Sequence, residues 1–285
     1  IVQLLESDAR IVELPIPTYY GDEICHVNGL KYAWDVTKLT GRYRLHRMGF
    51  GTGELAFASR PYELKLDPNS SHGRLLSWLS TRPAGRVLDL GCADGALASG
   101  IEAVGHEVTG VDLTHSPGVE DRMTRFYEGN LEHGIPDQVG NGYDTIVCAD
   151  VLEHVREPGR LLEEAKLLLN AGGSIFASVP NFGHWYPRLR TAFGMFDYDQ
   201  RGILDNTHVR FFTRRSFERV VAAAGLAIVR RDATGLPVDV ANRGSSDGTT
   251  AERLGLFATA DRLATKLRPQ LFGYQFVYEL KPKAL

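Results

Sequence analysis

Val87-Leu-Asp-Leu-Gly-Cys-Ala-Asp-Gly95 is the stretch on which the reading of this 285-residue chain turns. Arg86 to Leu90 has the apolar run of a buried strand, and Gly91 and Gly95 then break it before a helical pattern over Ala96 to Val104. A glycine-rich turn between strand and helix lets the backbone approach a ligand, and the helix N-terminus behind it favours an anionic group. Dinucleotide-binding turns are written Gly-x-Gly-x-x-Gly, whereas here Ala93 stands between the glycines and position 96 is alanine. Asp89 places a carboxylate just before the turn. A pyrophosphate would be repelled there, and the ammonium of an amino-acid cofactor would be paired. Asp112, at the end of the next strand, is placed to accept both ribose hydroxyls of an adenosine.

Outward from this turn, β-rich runs alternate with helical patterns, which predicts an α/β fold built on a mainly parallel sheet. The further strands are expected at His106 to Val111, Arg125 to Glu128, Tyr143 to Cys148, Ser174 to Val179, Leu226 to Arg231 and Tyr274 to Leu280. Pro158 suits the first turn of a helix carrying Leu161, Leu162, Ala165, Leu168 and Leu169, stopped by Asn170-Ala-Gly-Gly173. Thr213 reads as the N-cap of a helix over Arg214 to Ala224, and Ser70 and Ser71 lead an amphipathic helix through Leu75, Trp78 and Leu79. Residues 233–272 form a long connection, read as a loop around Asn242 to Thr250 followed by a lid-like helix from Leu254 to Leu267. Residues 1–66 break the rhythm and read as an extension, which leaves 67–285 as the main domain with inserts at 182–212 and 233–272.

The net charge of -3 offers no field for a polyphosphate backbone, so a nucleic-acid partner is not expected. Three cysteines, Cys25, Cys92 and Cys148, lack metal or disulfide spacing and read as reduced thiols of a cytoplasmic protein. No apolar run reaches the length of a transmembrane segment and no signal-peptide layout opens the chain. The initial Ile suggests a chain taken from a longer polypeptide or, equally, one whose initiator or tag is not part of the sequence.

The motifs Val87 to Gly95, Val108-Thr-Gly-Val-Asp112, Gly129-Asn-Leu131, Tyr143 to His154 and Ala171 to Asn181 together resemble the class I S-adenosylmethionine-dependent methyltransferases. The resemblance covers about residues 70–232 and implies a Rossmann-like, doubly wound sheet of about seven strands, the last antiparallel. It implies S-adenosyl-L-methionine as cofactor, contacted by Asp89, Gly91, Ala93, Asp94, Gly95, Asp112, Leu113, Asn130, Leu131, Ala149 and Asp150. Asn130 then faces the adenine amino group. The family commonly has glycine at 93 and aspartate at 130.

Methyl transfer from a sulfonium needs an aligned acceptor and, for a hydroxyl, a base. Substrates meet the cofactor outside the carboxyl ends of the strands, which makes Asp150, Glu153, His154, Asn181, His184 and Tyr186 candidates. His184 is the first choice as general base, with Tyr186 beside it; the alternative is a histidine packed on Trp185. His208 is the second, in Gly202 to Thr213, a block similar to saccharide-linked and ubiquinone-type methyltransferases. Its alternative is a buried network with Asp205 and Arg210. Asp150, Glu153 and His154 share a face if helical and resemble the acidic-x-x-Glu-His run of some ubiquinone-pathway O-methyltransferases, where a divalent cation binds; the favoured reading has no metal. Arg188, Arg190, Arg201, Arg210, Arg214 and Arg215 either grip an acidic acceptor or form a solvated face.

Arg10 to Cys25 is similar to the tail of dolichol-phosphate-mannosyltransferase-like glycosyltransferases. That resemblance points to a fused or associated glycosyltransferase partner, glycan biosynthesis, and O-methylation of a saccharide, glycolipid or related small molecule. Two rival functions are a non-catalytic cofactor-binding scaffold for such a glycosyltransferase and an NAD-dependent oxidoreductase.

Overall fold

The computed structural model describes residues 10, 12, 14, 28–47, 67, 69–199, 201–236 and 248–283. Most of the Arg10 to Cys25 tail and of the Asn242 to Thr250 loop lies outside them. The chain divides into two compact units, Ile1–Pro61 with Asp197–Asn206, and Tyr62–Phe196 with Thr207–Leu285. The first holds helix α1 (Gly29–Arg47), which the sequence reading did not foresee. Asn28 caps it, its side chain accepting from Lys31 N–H at 3.1 Å. Also in this unit, Asp199 N–H donates to Leu204 O and Asn206 N–H to Asp199 O, tying that segment back on itself.

The second unit is a three-layer α/β domain. Helix α2 (Ser71–Leu79) starts at Ser70, whose hydroxyl accepts from Gly73 N–H at 3.0 Å. Then follow β1 (Arg86–Leu90), α3 (Ala96–Ala103), β2 (Glu107–Asp112), β3 (Arg125–Glu128), β4 (Tyr143–Ala149) and α4 (Pro158–Leu167). After these come β5 (Leu169–Pro180), α5 (Trp185–Ala192), α6 (Arg214–Ala223), β6 (Leu226–Thr234), α7 (Gly248–Leu267), α8 (Pro269–Phe272) and β7 (Gln275–Pro282).

The strands form a seven-stranded sheet in the order β3-β2-β1-β4-β5-β7-β6. The first five pair in parallel, and β7 runs antiparallel between β5 and β6. The central strands β1 and β4 are covered on both faces and read as largely apolar runs, whereas the edge strand β3 is only partly buried. One core holds Leu161, Leu162 and Ala165 of α4 with Phe217 and Val221 of α6. The other holds Leu75, Trp78 and Leu79 of α2 with Leu97, Ala98 and Ile101 of α3. The Rossmann-like, doubly wound class expected from the sequence is the fold observed.

The boundaries differ in instructive places. β5 begins at Leu169, so Asn170-Ala-Gly-Gly173, expected to be only a helix stop, is already strand; Leu169 pairs with Tyr143 ahead of a register shift at Tyr143/Thr145. A bulge of this kind admits glycine where a regular strand would not. α7 starts at Gly248, earlier than the expected Leu254, and α5 is a helix inside the 182–212 insert. Among the described residues no helix is long and apolar enough to cross a membrane.

Candidate active site

In this strand order the chain reverses direction across the sheet between β1 and β4, and the cleft for a ligand lies beyond their carboxyl ends. The turn after β1 closes by backbone bonds: Gly91 and Cys92 N–H donate to Val111 O at 2.8 and 3.2 Å, and Gly95 N–H to Cys92 O at 2.8 Å. Gly91 and Gly95 have φ of 77° and 79°, the left-handed region that favours glycine. Space demands glycine at 91 as well, where a Cβ would lie 2.6 Å from the branched Val151 side chain; at 95 the nearest atom to it would be the terminal methyl of Met123, at 2.8 Å.

Ala93 sits in the same region at φ 51°. A side chain there costs about 1–2 kcal/mol, so Ala93→Gly is expected to stabilise the chain by roughly 0.5–1 kcal/mol after the entropy glycine adds to the unfolded state. An unchanged or lowered melting temperature in a thermal unfolding experiment would refute this.

Asp89 is 1% exposed and its Oδ2 has no hydrogen-bond partner. Burial, helped by the nearby Asp112 charge, pushes its carboxyl up to about 7. An orphaned buried carboxylate oxygen beside a glycine turn fits the ammonium of a cofactor's amino-acid moiety. Asp112 has taken on structural bonds, its Oδ2 accepting from Ala93 N–H at 2.8 Å and its Oδ1 from Thr114 N–H at 3.0 Å. It therefore ties the turn to the end of β2, with lone pairs left for hydroxyls.

The remaining expected contacts separate into groups. Asp94 accepts from Ala96 N–H at 3.1 Å and pairs with Arg122 at 2.7 Å, so its side chain serves the helix start. Leu113 is 62% exposed at the end of β2, whereas Leu131 is packed into the core. Asn130 accepts from Glu132 N–H through Oδ1 at 2.9 Å, which leaves its NH2 as the atom able to meet an adenine edge. Ala149 is buried at the end of β4.

Asp150 follows with φ 54°, and the residues after it form turns with no regular helix. The expected helical face of Asp150, Glu153 and His154 is therefore replaced by another grouping. The left-handed residue rotates the chain, and Asp150 bonds to Ser178 and to Gln275 Nε2, the latter at 3.0 Å. Glu153 and His154 are joined instead by His208, with one ligand atom from each of the three within 4.8 Å of the others. The link is backbone-built: Glu153 O accepts from Val209 and Arg210 N–H at 2.9 and 3.0 Å, and Phe182 N–H donates to Phe212 O at 2.7 Å. Residues 207–212 are thus laid across the exits of β4 and β5. His208 Nε2 lies 3.9 Å from Glu153 Oε1, both side chains being almost wholly buried. His154 Nδ1 meets Thr207 O and Oγ1 at 3.3 and 3.2 Å.

Rings continue from this polar end. His154 and His208 are 4.8 Å apart, His208 and Phe211 6.2 Å, Phe211 and Phe182 5.2 Å, and Phe182 and Phe196 6.1 Å between centroids. His184 lies apart from these contacts. It is the N-cap of α5, its Nδ1 accepting from Tyr186 N–H at 3.2 Å. Burial lowers its pKa to about 4, and Nε2 is buried without a partner. Nδ1 is an acceptor, so the ring proton of this neutral imidazole sits on Nε2. Tyr186 accepts at its hydroxyl from Arg190 at 2.8 Å.

Of the arginines, Arg188 donates to Gly183 O, Arg210 to Arg156 O, and Arg214 lies 3.6 Å from Glu218. These bonds hold them to the fold. Sequence reasoning missed Ser178 and Gln275; other polar residues stand in the same strands, Ser174 in β5 and Glu279 in β7, so polarity alone did not single the two out.

A sequence profile described as a methyltransferase domain matches residues 62–231. The ubiquinone biosynthesis O-methyltransferase of Burkholderia pseudomallei (strain 1710b) is 29% identical over 182 residues, covering 57% of this chain and 78% of that protein. That of Acinetobacter baumannii (strain AYE) is 32% identical over 119 residues, 37% of this chain and 50% of that one. The Synechocystis PCC 6803 magnesium protoporphyrin IX methyltransferase, crystallised with bound SAH, shares the fold at 16% identity and a TM-score of 0.52, over 89% of this chain and 100% of its own. The profile covers more than half of the chain, so the oxidoreductase alternative falls away and the chain belongs to the methyltransferase-domain family, as a class I enzyme that uses S-adenosylmethionine.

Proposed function

We propose that the chain O-methylates a hydroxyl on a ring-shaped small molecule, with His208 as the proton acceptor and Glu153 as its charge partner. The observation that carries this reading is the buried Glu153–His208 pair, 3.9 Å apart, at the exit of β4 and at the head of the row of phenylalanine rings. S-adenosylmethionine supplies an electrophilic methyl group. Asp89 would pair with its ammonium, Asp112 with its ribose and Asn130 with its adenine, and the Gly91 to Gly95 turn would take its amino-acid end. Phe211, Phe182 and Phe196 stack the acceptor ring. As the acceptor oxygen attacks in line, its proton passes to His208 and the new imidazolium is stabilised by the Glu153 carboxylate. The methyl would pass from sulfur to the acceptor oxygen, the electron pair of the broken S–C bond staying on sulfur and S-adenosylhomocysteine being the other product.

His208 is preferred to His184 because the His184 ring already uses its accepting nitrogen as a helix cap. The acceptor class proposed is a saccharide or glycolipid hydroxyl, in keeping with the glycosyltransferase-like tail at Arg10 to Cys25, with a fused or associated glycosyltransferase as its source. The relatives' name, ubiquinone biosynthesis O-methyltransferase, supports oxygen as the atom methylated. A scaffold role without transfer is the rival that the test must remove.

Labelled S-adenosylmethionine offered with sugars, glycolipids and phenols decides between them. Transfer to a sugar hydroxyl is expected, with Phe211→Ala raising the acceptor KM about tenfold for the lost stacking and little change in cofactor affinity. Transfer to phenols alone would overturn the saccharide class; transfer to nothing would leave the scaffold.

A second reading is favoured by the Glu153, His154 and His208 set, since a carboxylate and two imidazoles suit a borderline transition-metal ion. These three would hold it, and it would supply Lewis-acid activation of the acceptor oxygen. Activity that persists in a strong chelator is expected on the general-base reading; loss restored by added metal would replace it.

A further inference from the structure

We infer that Ser178 and Gln275 are positioning residues for cofactor binding, which grip the Asp150 carboxylate from two neighbouring strands and hold its backbone left-handed at the mouth of the cleft. This rests on the reading of Asp150 as a cofactor contact.

Three strands meet at this point. Asp150 directly follows β4, Ser178 faces Ala149 across the parallel β4–β5 pairing, and Gln275 faces Pro180 across the antiparallel β5–β7 pairing. The Ser178 hydroxyl donates to Asp150 Oδ1, and the Gln275 amide donates to Oδ2 at 3.0 Å. In return, Asp150 N–H donates to Ser178 Oγ at 3.1 Å and to Ser178 O at 3.3 Å. A hydroxyl can accept from the N–H and donate to the carboxylate at once, so the loop of bonds closes on one residue.

Both partners are buried, Ser178 fully and Gln275 to 6% exposure. Asp150 itself has φ 54°, a conformation that a residue with a Cβ holds only when its surroundings impose it. Strain kept in place by buried donors clusters at ligand sites. Here it lies one strand away from the Asp89 turn, because Asp89 pairs with Val147 of β4. Removing either donor frees the carboxylate to swing and lets the backbone relax out of the left-handed region. The cofactor then loses an oriented contact although no residue touching it has changed. β7, whose residues make no part of the family's motifs quoted above, acts on the cofactor cleft through Gln275.

The test is calorimetric titration of the full chain with S-adenosylhomocysteine, alongside thermal melting of each variant. Ser178→Ala and Gln275→Ala are expected to weaken binding about tenfold each, as loss of a charge-assisted hydrogen bond does. Ser178→Thr, which keeps the hydroxyl, should restore most of the affinity. Gln275→Glu should bind more weakly than Gln275→Ala, because it sets a second carboxylate against Asp150. Asp150→Asn keeps a residue that tolerates the left-handed backbone and should also weaken binding about tenfold. Wild-type affinity in Asp150→Asn would show that Asp150 is no cofactor contact. Weakened binding there, together with wild-type affinity in Ser178→Ala and Gln275→Ala, would overturn the positioning role alone. So would losses that follow the melting temperature with no rescue by threonine, the pattern of a merely structural network.

Discussion

Asp89→Asn is expected to weaken S-adenosylmethionine binding about 100-fold, the scale of losing a buried charge partner, while making the ligand-free chain more stable at pH 8. Burial, with Asp112 adding to it, raises the carboxyl from its ordinary 3.8 to about 7. Between those values the folded chain holds a proton that the unfolded chain has released. The stability this contributes is complete below about 3.8 and is lost as pH rises through about 7. At about 1.4 kcal/mol per pH unit the full span is worth roughly 4 kcal/mol. Asparagine does not ionise, so the variant lacks this slope; its own buried amide takes back part of the gain.

With the ammonium paired to the ionised carboxylate, as proposed, cofactor affinity is expected to take the opposite slope. In the wild type it should fall about tenfold for each pH unit below about 7, and fall again above about 8 as the cofactor's own α-amino group loses its proton. Calorimetric titrations and melting curves from pH 5 to 8.5 measure both. A pH-independent affinity with wild-type binding by Asp89→Asn would remove Asp89 from the cofactor site.

His208→Ala is expected to lower kcat by about 10²- to 10⁴-fold on an alcohol acceptor, with cofactor affinity within a factor of about two, as befits the loss of a general base. His208 is buried beside Glu153, so His208→Gln serves as a second variant that keeps polar bulk in the same space. An acidic phenol needs less help in losing its proton, so a phenolic acceptor should lose far less than a sugar hydroxyl. Single-turnover rates with saturating cofactor make the comparison. Equal, small losses on both acceptors would exclude His208 as the base, and a large loss in His184→Gln alone would return that role to His184.

The sheet was legible because its signals are local. The apolar run of Val87 to Leu90, the glycines at 91 and 95, and Thr213 before Arg214 each work within a few residues. The capping box of α6, where Thr213 and Ser216 exchange bonds, is of the same kind. Where expectation and structure parted, a longer-range term had intervened. Leu169 to Gly173 became strand because Tyr143 was there to pair with it, and no property of Asn170-Ala-Gly-Gly173 announces that.

The cofactor side of the site follows the same division. Asp89 and Asp112 are fixed at strand ends, and a strand end is readable from its own pattern. Asp150 and Glu153 looked like one helical face because spacing predicts direction only while the backbone stays regular. The left-handed turn at Asp150 ends that regularity and sends the two carboxylates to different partners.

By itself, then, the amino-acid order determined the α/β rhythm, the glycine turn after β1, and the placing of two aspartates, Asp89 and Asp112, at the ends of β1 and β2 beside that turn. These depend on periodicity, on φ > 0 and on charge placed at the end of a strand, all properties of short segments. The tertiary structure alone decided that His208 stands with Glu153 while His184 caps a helix. It alone bound Asp150 to Ser178 and Gln275, which lie 28 and 125 residues away in sequence. Contacts across such separations arise from strand order and register, and no short segment of the chain carries them.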